Sequence, residues 1–134
     1  MRKFIKRFAL TLCLILVFCT SVSVMAQTVS VTIYTTDPSK DSYTMVCYGT
    51  VDLDGCNSIY STRNLVVQLR QKTSSSSYTI LSSTTLQPGT GWIGGTWYSI
   101  LSNYPVSSGA ELYVHLEPAG GASSDCYGAG RLTN

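Results

Sequence analysis

The chain has 134 residues, with nine Lys and Arg against seven Asp and Glu, a net charge of +2 and a charged fraction of 12%. Four of the nine basic residues lie within the first seven positions, and no later segment has the basic patch that binds phosphate backbones, so the sequence argues against a nucleic-acid partner. One histidine and few carboxylates leave little material for catalysis. We expect no enzymatic activity and no cofactor.

Residues 1–26 have the pattern of a secretory signal peptide. Four basic residues precede an uncharged apolar run that ends near Phe18, and Val24-Met25-Ala26 puts small or medium residues where a signal peptidase reads. The run is shorter than the roughly 20 residues that a membrane-spanning helix needs. We therefore expect cleavage and secretion of residues 27–134 as one domain without a membrane span, in an extracellular or periplasmic location. Five basic and seven acidic residues give that domain a net charge of −2.

From Thr28 onward, apolar and polar residues alternate in short runs, which predicts half-buried β-strands. The clearest run places Leu65, Val67 and Leu69 on an inward face, with Gln68, Arg70 and Lys72 outward. The predicted strands are Thr28 to Thr35, Tyr43 to Leu53, Asn64 to Lys72, Tyr78 to Leu86, Trp92 to Leu101, Glu111 to Glu117 and Cys126 to Leu132.

Turn residues separate these strands. Asp54-Gly55 favours a tight hairpin because both residues tolerate positive φ, and the serine tract 74–77 is typical of a hairpin loop. Tyr104-Pro105 and Ser108-Gly109 are further predicted breaks.

Seven short strands and no helical pattern predict an all-β fold, a single antiparallel β-sandwich. In strand number and spacing, residues 28–133 resemble immunoglobulin-like and fibronectin type III-like sandwiches. The resemblance implies an architecture and no activity, because sandwiches of this shape have many functions.

Removal of the leader would leave three cysteines, an odd number, so at most one intramolecular disulfide can form. In a sandwich of this order, Cys56 and Cys126 flank loops at the same end, which favours that pair. A hairpin at Asp54-Gly55 would put Cys47 about 20 Å from Cys56, which disfavours a bond between them. The alternative pair is Cys47 with Cys126.

His115 alternates with Leu112, Val114 and Leu116, so we expect a surface imidazole, with Glu117 on its own face about 7 Å away. No cluster has the spacing of a zinc site, and Asp52-Leu53-Asp54-Gly55 lacks the further ligands of a calcium loop. The sequence therefore predicts no metal site.

The segment GWIGGTWYSI is the most suggestive of a ligand site. A bulge at Gly94-Gly95 would put Trp92 and Trp97 on one face as a stacking platform. The platform would be extended by Tyr98, Tyr104 and Tyr113. In the alternative interpretation, one tryptophan fills the core and the other covers an edge.

Three classes of function follow. The first is a small secreted, non-catalytic binding or surface-interaction module, with a polysaccharide or cell-surface glycan as the expected partner. The second is a structural or adhesive surface protein that self-associates through its strand edges. The third is an extracellular hydrolase or inhibitor, which requires a cleft containing His115 and a carboxylate.

Overall fold

In the computed structural model, which describes residues 26–120 and 125–134, the chain forms one antiparallel sheet of seven strands and no helix. The predicted all-β class is thus confirmed. The predicted signal peptide lies almost entirely outside the described residues. The strands are β1 (Thr28–Ile33), β2 (Lys40–Asp41), β3 (Met45–Asn57), β4 (Leu65–Lys72), β5 (Tyr78–Leu86), β6 (Tyr98–Pro118) and β7 (Gly128–Thr133).

The long strand β6 organises the sheet. The strand order is β1-β7-β3-β6-β4-β5, and β2 also pairs with β6. Residues 98–112 of β6 pair with β3, whereas residues 112–118 pair with β4. The sheet therefore turns over along β6, and its two halves pack against each other: a Cβ added at Gly130 of β7 would lie 2.7 Å from Val114 Cγ1 of β6.

The core lies between these two halves. It is built from the inward residues of both, and the predicted inward set of β4 is fully buried. Each buried Leu or Ile contributes roughly 1.5–3 kcal/mol of transfer free energy. The largest fully buried aliphatic side chains are Ile33, Leu53, Leu65, Leu69, Leu112, Leu116 and Leu132.

Two of the predicted breaks are instead internal to β6. Tyr104 and Pro105 lie opposite Val51 and Thr50 of β3, and the strand continues through Gly109, whose φ is +80°. Proline is tolerated at position 105 because β4 pairs with β6 only from residue 112, so the missing N–H costs no ladder bond on that side.

Asp54-Gly55 is not a hairpin either, because β3 runs through it. Gly55 lies opposite Tyr98 on one side and Gly130 on the other. A Cβ at Gly55 would lie 2.9 Å from both Ile100 Cδ1 and Leu86 Cδ1. The glycine therefore permits close packing of the two halves. The serine tract, by contrast, does connect β4 and β5 as a hairpin, with Thr73 N donating to Ser77 O at 2.9 Å.

Neither predicted disulfide is present. Cys47, Cys56 and Cys126 are free and buried. Cys56 lies opposite Ala129, and Cys126 is three residues further along. That offset corresponds to about 10 Å, beyond the roughly 7 Å between Cα atoms that a disulfide allows. Cys47 lies nine residues before Cys56 on β3, which places it further still from Cys126.

Among the described residues, no helix has the length and apolarity needed to cross a membrane.

Candidate functional site

Four aromatic side chains line one end of the sheet. Tyr34 follows β1, Tyr60 follows β3, Trp92 lies between β5 and β6, and Tyr127 precedes β7. These positions meet because antiparallel pairing puts the end of β1 and the end of β3 beside the start of β7. We call these four residues the aromatic row.

Ring contacts and a shared depression connect the row. Tyr60 and Trp92 meet edge to face at 6.4 Å between ring centroids, and Tyr127 stacks on Tyr34 at 5.7 Å. A depression of about 30 Å³ joins the two pairs, lined by Trp92, Tyr127, Ser58 and Ile93. The row is therefore continuous across this end of the molecule.

The outer part of the row is open to solvent. Tyr60 is 71% exposed and Trp92 49%, and the neighbouring Ile59 is 62% exposed. Large apolar side chains grouped on a surface in this way commonly mark an interaction site.

Asn57 holds together the loops that carry Tyr60 and Trp92. Its fully buried side chain donates through Nδ2 to Arg63 O at 3.0 Å and to Leu86 O at 2.9 Å. Its backbone N donates to Thr90 O at 2.7 Å, and its carbonyl accepts from Gly89 N at 2.9 Å. One residue at the end of β3 thus fixes two loops relative to each other.

The loop of Trp92 is tightly closed. Trp92 N donates to Thr96 O at 2.6 Å, and Gly95 N donates to Trp92 O at 3.1 Å. Gly91 has a φ of +76°, and a Cβ there would lie 2.7 Å from Thr96 O, so only glycine fits. The ring is therefore presented on a loop with a defined backbone.

A turn after β1 sets the other end of the row. Asp37 Oδ2 accepts from Tyr34 N at 3.1 Å and from Lys40 Nζ at 3.4 Å. The hydrogen bond from Tyr34 N, helped by Lys40, lowers the pKa of the Asp37 carboxyl. Lys40 Nζ lies 5.3 Å from the centroid of the Tyr34 ring, which adds a cation beside the row.

The structure does not bring the five predicted ligand-binding residues together. Trp92 belongs to the aromatic row, but Trp97 lies elsewhere, beneath Arg131, whose Cζ is 4.6 Å from the ring centroid. Residues 92–97 lie outside the strands rather than in a bulged strand, so the two rings do not share a strand face. Tyr98 lies at the start of β6 and is 51% exposed.

The two remaining predicted tyrosines are further along β6. Tyr104 lies opposite Val51 and packs partly against the core. Tyr113 lies opposite Arg70 and meets Tyr78 edge to face at 6.4 Å. Sequence reasoning missed Tyr34, Tyr60 and Tyr127. A useful signal was available at Ile59-Tyr60, where two large apolar residues interrupt a polar turn segment.

His115 is buried, at 7% exposure, so the predicted surface imidazole is wrong. The cause is pairing on both sides of β6: β2 places Asp41 opposite His115, and β4 places Gln68 there. His115 Nδ1 lies 2.6 Å from Asp41 Oδ1, and Nε2 lies 3.4 Å from Glu117 Oε2. The imidazole therefore bridges two carboxylates.

Within residues 26–120 and 125–134, no group of three His, Cys, Asp or Glu side chains is arranged to hold a metal ion. Comparisons of the chain with protein-family models, with curated proteins and with solved structures found no match.

Proposed function

We propose that the protein is a secreted, non-catalytic binding module that contacts a glycan through the aromatic row. The observation that carries this proposal is the exposure of Trp92 and Tyr60, in mutual contact, on loops that the buried Asn57 holds in place. Exposed rings on a fixed backbone lose little conformational freedom on binding, which favours affinity.

The architecture that we propose for this module is an immunoglobulin-like or fibronectin type III-like sandwich over residues 27–134. The packing of β7 against the second half of β6 supports two layers. In such sandwiches, the loops at one end commonly form the binding surface. The signal-peptide pattern of residues 1–26 supports an extracellular or periplasmic location.

A glycan suits the aromatic row for a chemical reason. A sugar ring has an apolar C–H face that packs on an aromatic ring, while its hydroxyls need hydrogen-bonding groups at the rim. Binding sites generally combine an apolar lining with a few polar groups. The row supplies Trp92 and Tyr127 as the apolar lining, and Lys40, beside Tyr34, is a polar group at its rim.

Affinity electrophoresis through gels cast with soluble polysaccharides tests the proposal. We expect at least one polysaccharide to retard the wild type, and Trp92→Ala and Tyr60→Ala each to remove most of the retardation. Tyr48→Ala is the matched control, because Tyr48 is 57% exposed on β3 and outside the row. Equal retardation of all four folded proteins would overturn the proposed site, and no retardation with any polysaccharide would overturn the glycan as ligand.

The sheet edges favour a second candidate function, self-association as a structural or adhesive surface protein. The two long edge strands, β1 and β5, read TVSVTI and YTILSSTTL and contain no charged residue and no proline. Natural proteins usually protect their edges with such residues. An edge without them can pair with a second copy of the chain.

Sedimentation over a concentration series tests this candidate. Self-association predicts an increase in average mass with concentration, and Thr85→Lys on β5 should suppress it by placing a charge at the edge. Thr62→Lys, at an exposed position in the loop between β3 and β4, adds the same charge outside the strands and should have no effect. A monomer at every concentration would exclude the candidate.

A further inference from the structure

Arg70 is a buried cation that forms no ion pair within the described part of the chain. The residue is 8% exposed on the face of β4 that points away from the core. Its Nε donates to Gln68 Oε1 at 2.8 Å, and its Cζ lies 4.1 Å from the centroid of the Tyr78 ring. The ion pairs among residues 26–120 and 125–134 do not include Arg70. The predicted outward position of Arg70 is correct, but solvent is largely excluded from it.

The guanidinium borders a depression of about 350 Å³, which we call the arginine pocket. The rings of Tyr78 and Tyr113 stand beside Arg70, and the β4–β5 loop closes one side with four consecutive serines, Ser74 to Ser77. Ser42 and Thr44 also line it. The arginine pocket lies near the end of β4 that is remote from Leu65, and therefore from the Tyr60 and Trp92 part of the aromatic row.

A cation in this position costs free energy in the isolated protein. Buried charges are normally paired because desolvation is costly. The Tyr78 ring and the Gln68 amide compensate in part, but neither supplies a negative charge. The Nη1 and Nη2 groups, which together carry four N–H donors, make no hydrogen bond within the described residues.

We propose that the arginine pocket binds an oxyanion, namely a carboxylate, sulfate or phosphate group of a ligand. The planar guanidinium fork binds such groups through two parallel hydrogen bonds. The Tyr78 ring holds the fork in one orientation, so little rotamer freedom remains to be lost on binding. The serine hydroxyls of the loop are neutral donors suited to the remaining oxygens.

Other charges around the arginine pocket are compatible with an anion. Lys72 lines it, and its ion pair with Glu111 is long, at 3.8 Å, and exposed, so the ammonium is free to turn toward a ligand. The Asp41 carboxylate also lines the pocket, but its Oδ1 is engaged by His115 at 2.6 Å. Two cations therefore face one carboxylate that already has a partner.

Titration of ¹⁵N-labelled protein followed by amide chemical shifts tests the proposal. The probes are sodium sulfate, sodium phosphate and sodium D-glucuronate, with D-glucose as the neutral control, all at constant ionic strength. We expect saturable shifts at residues 70–78 and 113 with at least one anion and none with glucose. A preference for glucuronate would identify a carboxylate ligand. A preference for sulfate or phosphate would identify a ligand with a sulfate or phosphate ester.

Arg70→Gln should lower the affinity for the preferred anion at least about tenfold. Arg63→Gln is the control for total charge, because Arg63 contacts Ala119 O near the opposite end of β4, and it should change affinity less than about twofold. If Arg70→Gln does not fold, Lys72→Gln tests the same pocket and should weaken binding. The absence of saturable shifts, or equal affinity in the wild type and these variants, would overturn the proposal.

The arginine pocket and the aromatic row are tested separately. Arg70→Gln should leave retardation by a neutral polysaccharide unchanged, and Trp92→Ala should leave the anion titration unchanged. Failure of one proposal is therefore distinguishable from failure of the other.

Discussion

Two regions of the molecule, a loop surface and a sheet face, depart from ordinary burial in opposite ways. At the aromatic row, Trp92 and Tyr60 are apolar groups left in solvent. On the outer face of β4 and β6, Arg70, Gln68 and His115 are polar groups removed from it, each with at most 8% exposure.

The causes of the two departures differ. The aromatic row lies on loops, where no neighbouring strand covers a side chain. The polar face lies inside the sheet, where strands on both sides supply cover: His115 is flanked by Asp41 and Gln68, and Arg70 by Tyr113 and Ile80. Exposed rings and an unpaired buried cation both leave an interaction unmade in the isolated chain. The comparison therefore favours two separate binding regions, and the following changes test it from the largest expected effect to the smallest.

Asn57→Ala should have the largest effect and should act on the aromatic row alone. It leaves the carbonyls of Arg63 and Leu86 without their donor inside the protein, which should lower the free energy of unfolding by roughly 3 kcal/mol. Urea unfolding measures this loss, and retardation by polysaccharide should fall with it. Asn64→Ala, at an exposed position, is the control. An unchanged urea midpoint would show that the loops do not depend on Asn57.

His115→Ala should have a smaller effect, confined to the polar face. The imidazole bridges Asp41 and Glu117, but both carboxylates are about half exposed and can be solvated when it is removed. We expect a loss of about 1–2 kcal/mol in urea unfolding. Retardation by polysaccharide should not change. If the protein turns over any substrate and this substitution abolishes the turnover, the non-catalytic interpretation is wrong.

The two tryptophans should separate binding from stability. Trp97→Ala removes a ring that packs under Arg131, which itself pairs with Asp54 at 2.6 Å, and should cost about 1 kcal/mol of stability without affecting glycan binding. Trp92→Ala should cost less than about 0.5 kcal/mol and abolish binding. Thermal unfolding and affinity electrophoresis of both variants measure the two effects. The opposite result would assign the site to Trp97.

We expect the smallest effect at the three thiols, which should react slowly in the native protein and should not contribute a disulfide to its stability. Burial raises the pKa of Cys47, Cys56 and Cys126, so at about pH 8 less thiolate is present than for a free cysteine. Labelling of the native protein by an aromatic disulfide reagent should be slow, should accelerate as the pH rises toward the raised pKa values, and should become fast in urea. A reductant should not shift the melting temperature. A fall in melting temperature with reductant would instead be evidence that the predicted disulfide forms.

Local patterns predicted much of the secondary structure. The alternation over β4 identified its inward residues because the side chains of a strand alternate between faces whatever the partner strand is. The serine tract identified the β4–β5 hairpin for a similar reason, since a turn depends on few adjacent residues.

Predictions that depended on distant residues failed. Asp54-Gly55 predicts a hairpin because both residues tolerate positive φ, but packing of Ile100 and Leu86 over Gly55 determines its role. The Cys56–Cys126 pairing failed because the β3–β7 register offsets the two residues. Of the five aromatic residues named from the sequence, Trp92 alone lies in the aromatic row, because its neighbours Tyr60 and Tyr127 come from loops 32 or more residues away in sequence.

By itself, the sequence determined the all-β class, most strand positions and the scarcity of catalytic groups, since these follow from local periodicity and composition. Tertiary structure alone decided which rings meet and which charges are buried. The physical reason is that β6 pairs with β3 along one part and with β4 along another, which turns the sheet over and excludes solvent from Arg70. Sheet pairing between distant segments creates environments that no local pattern encodes.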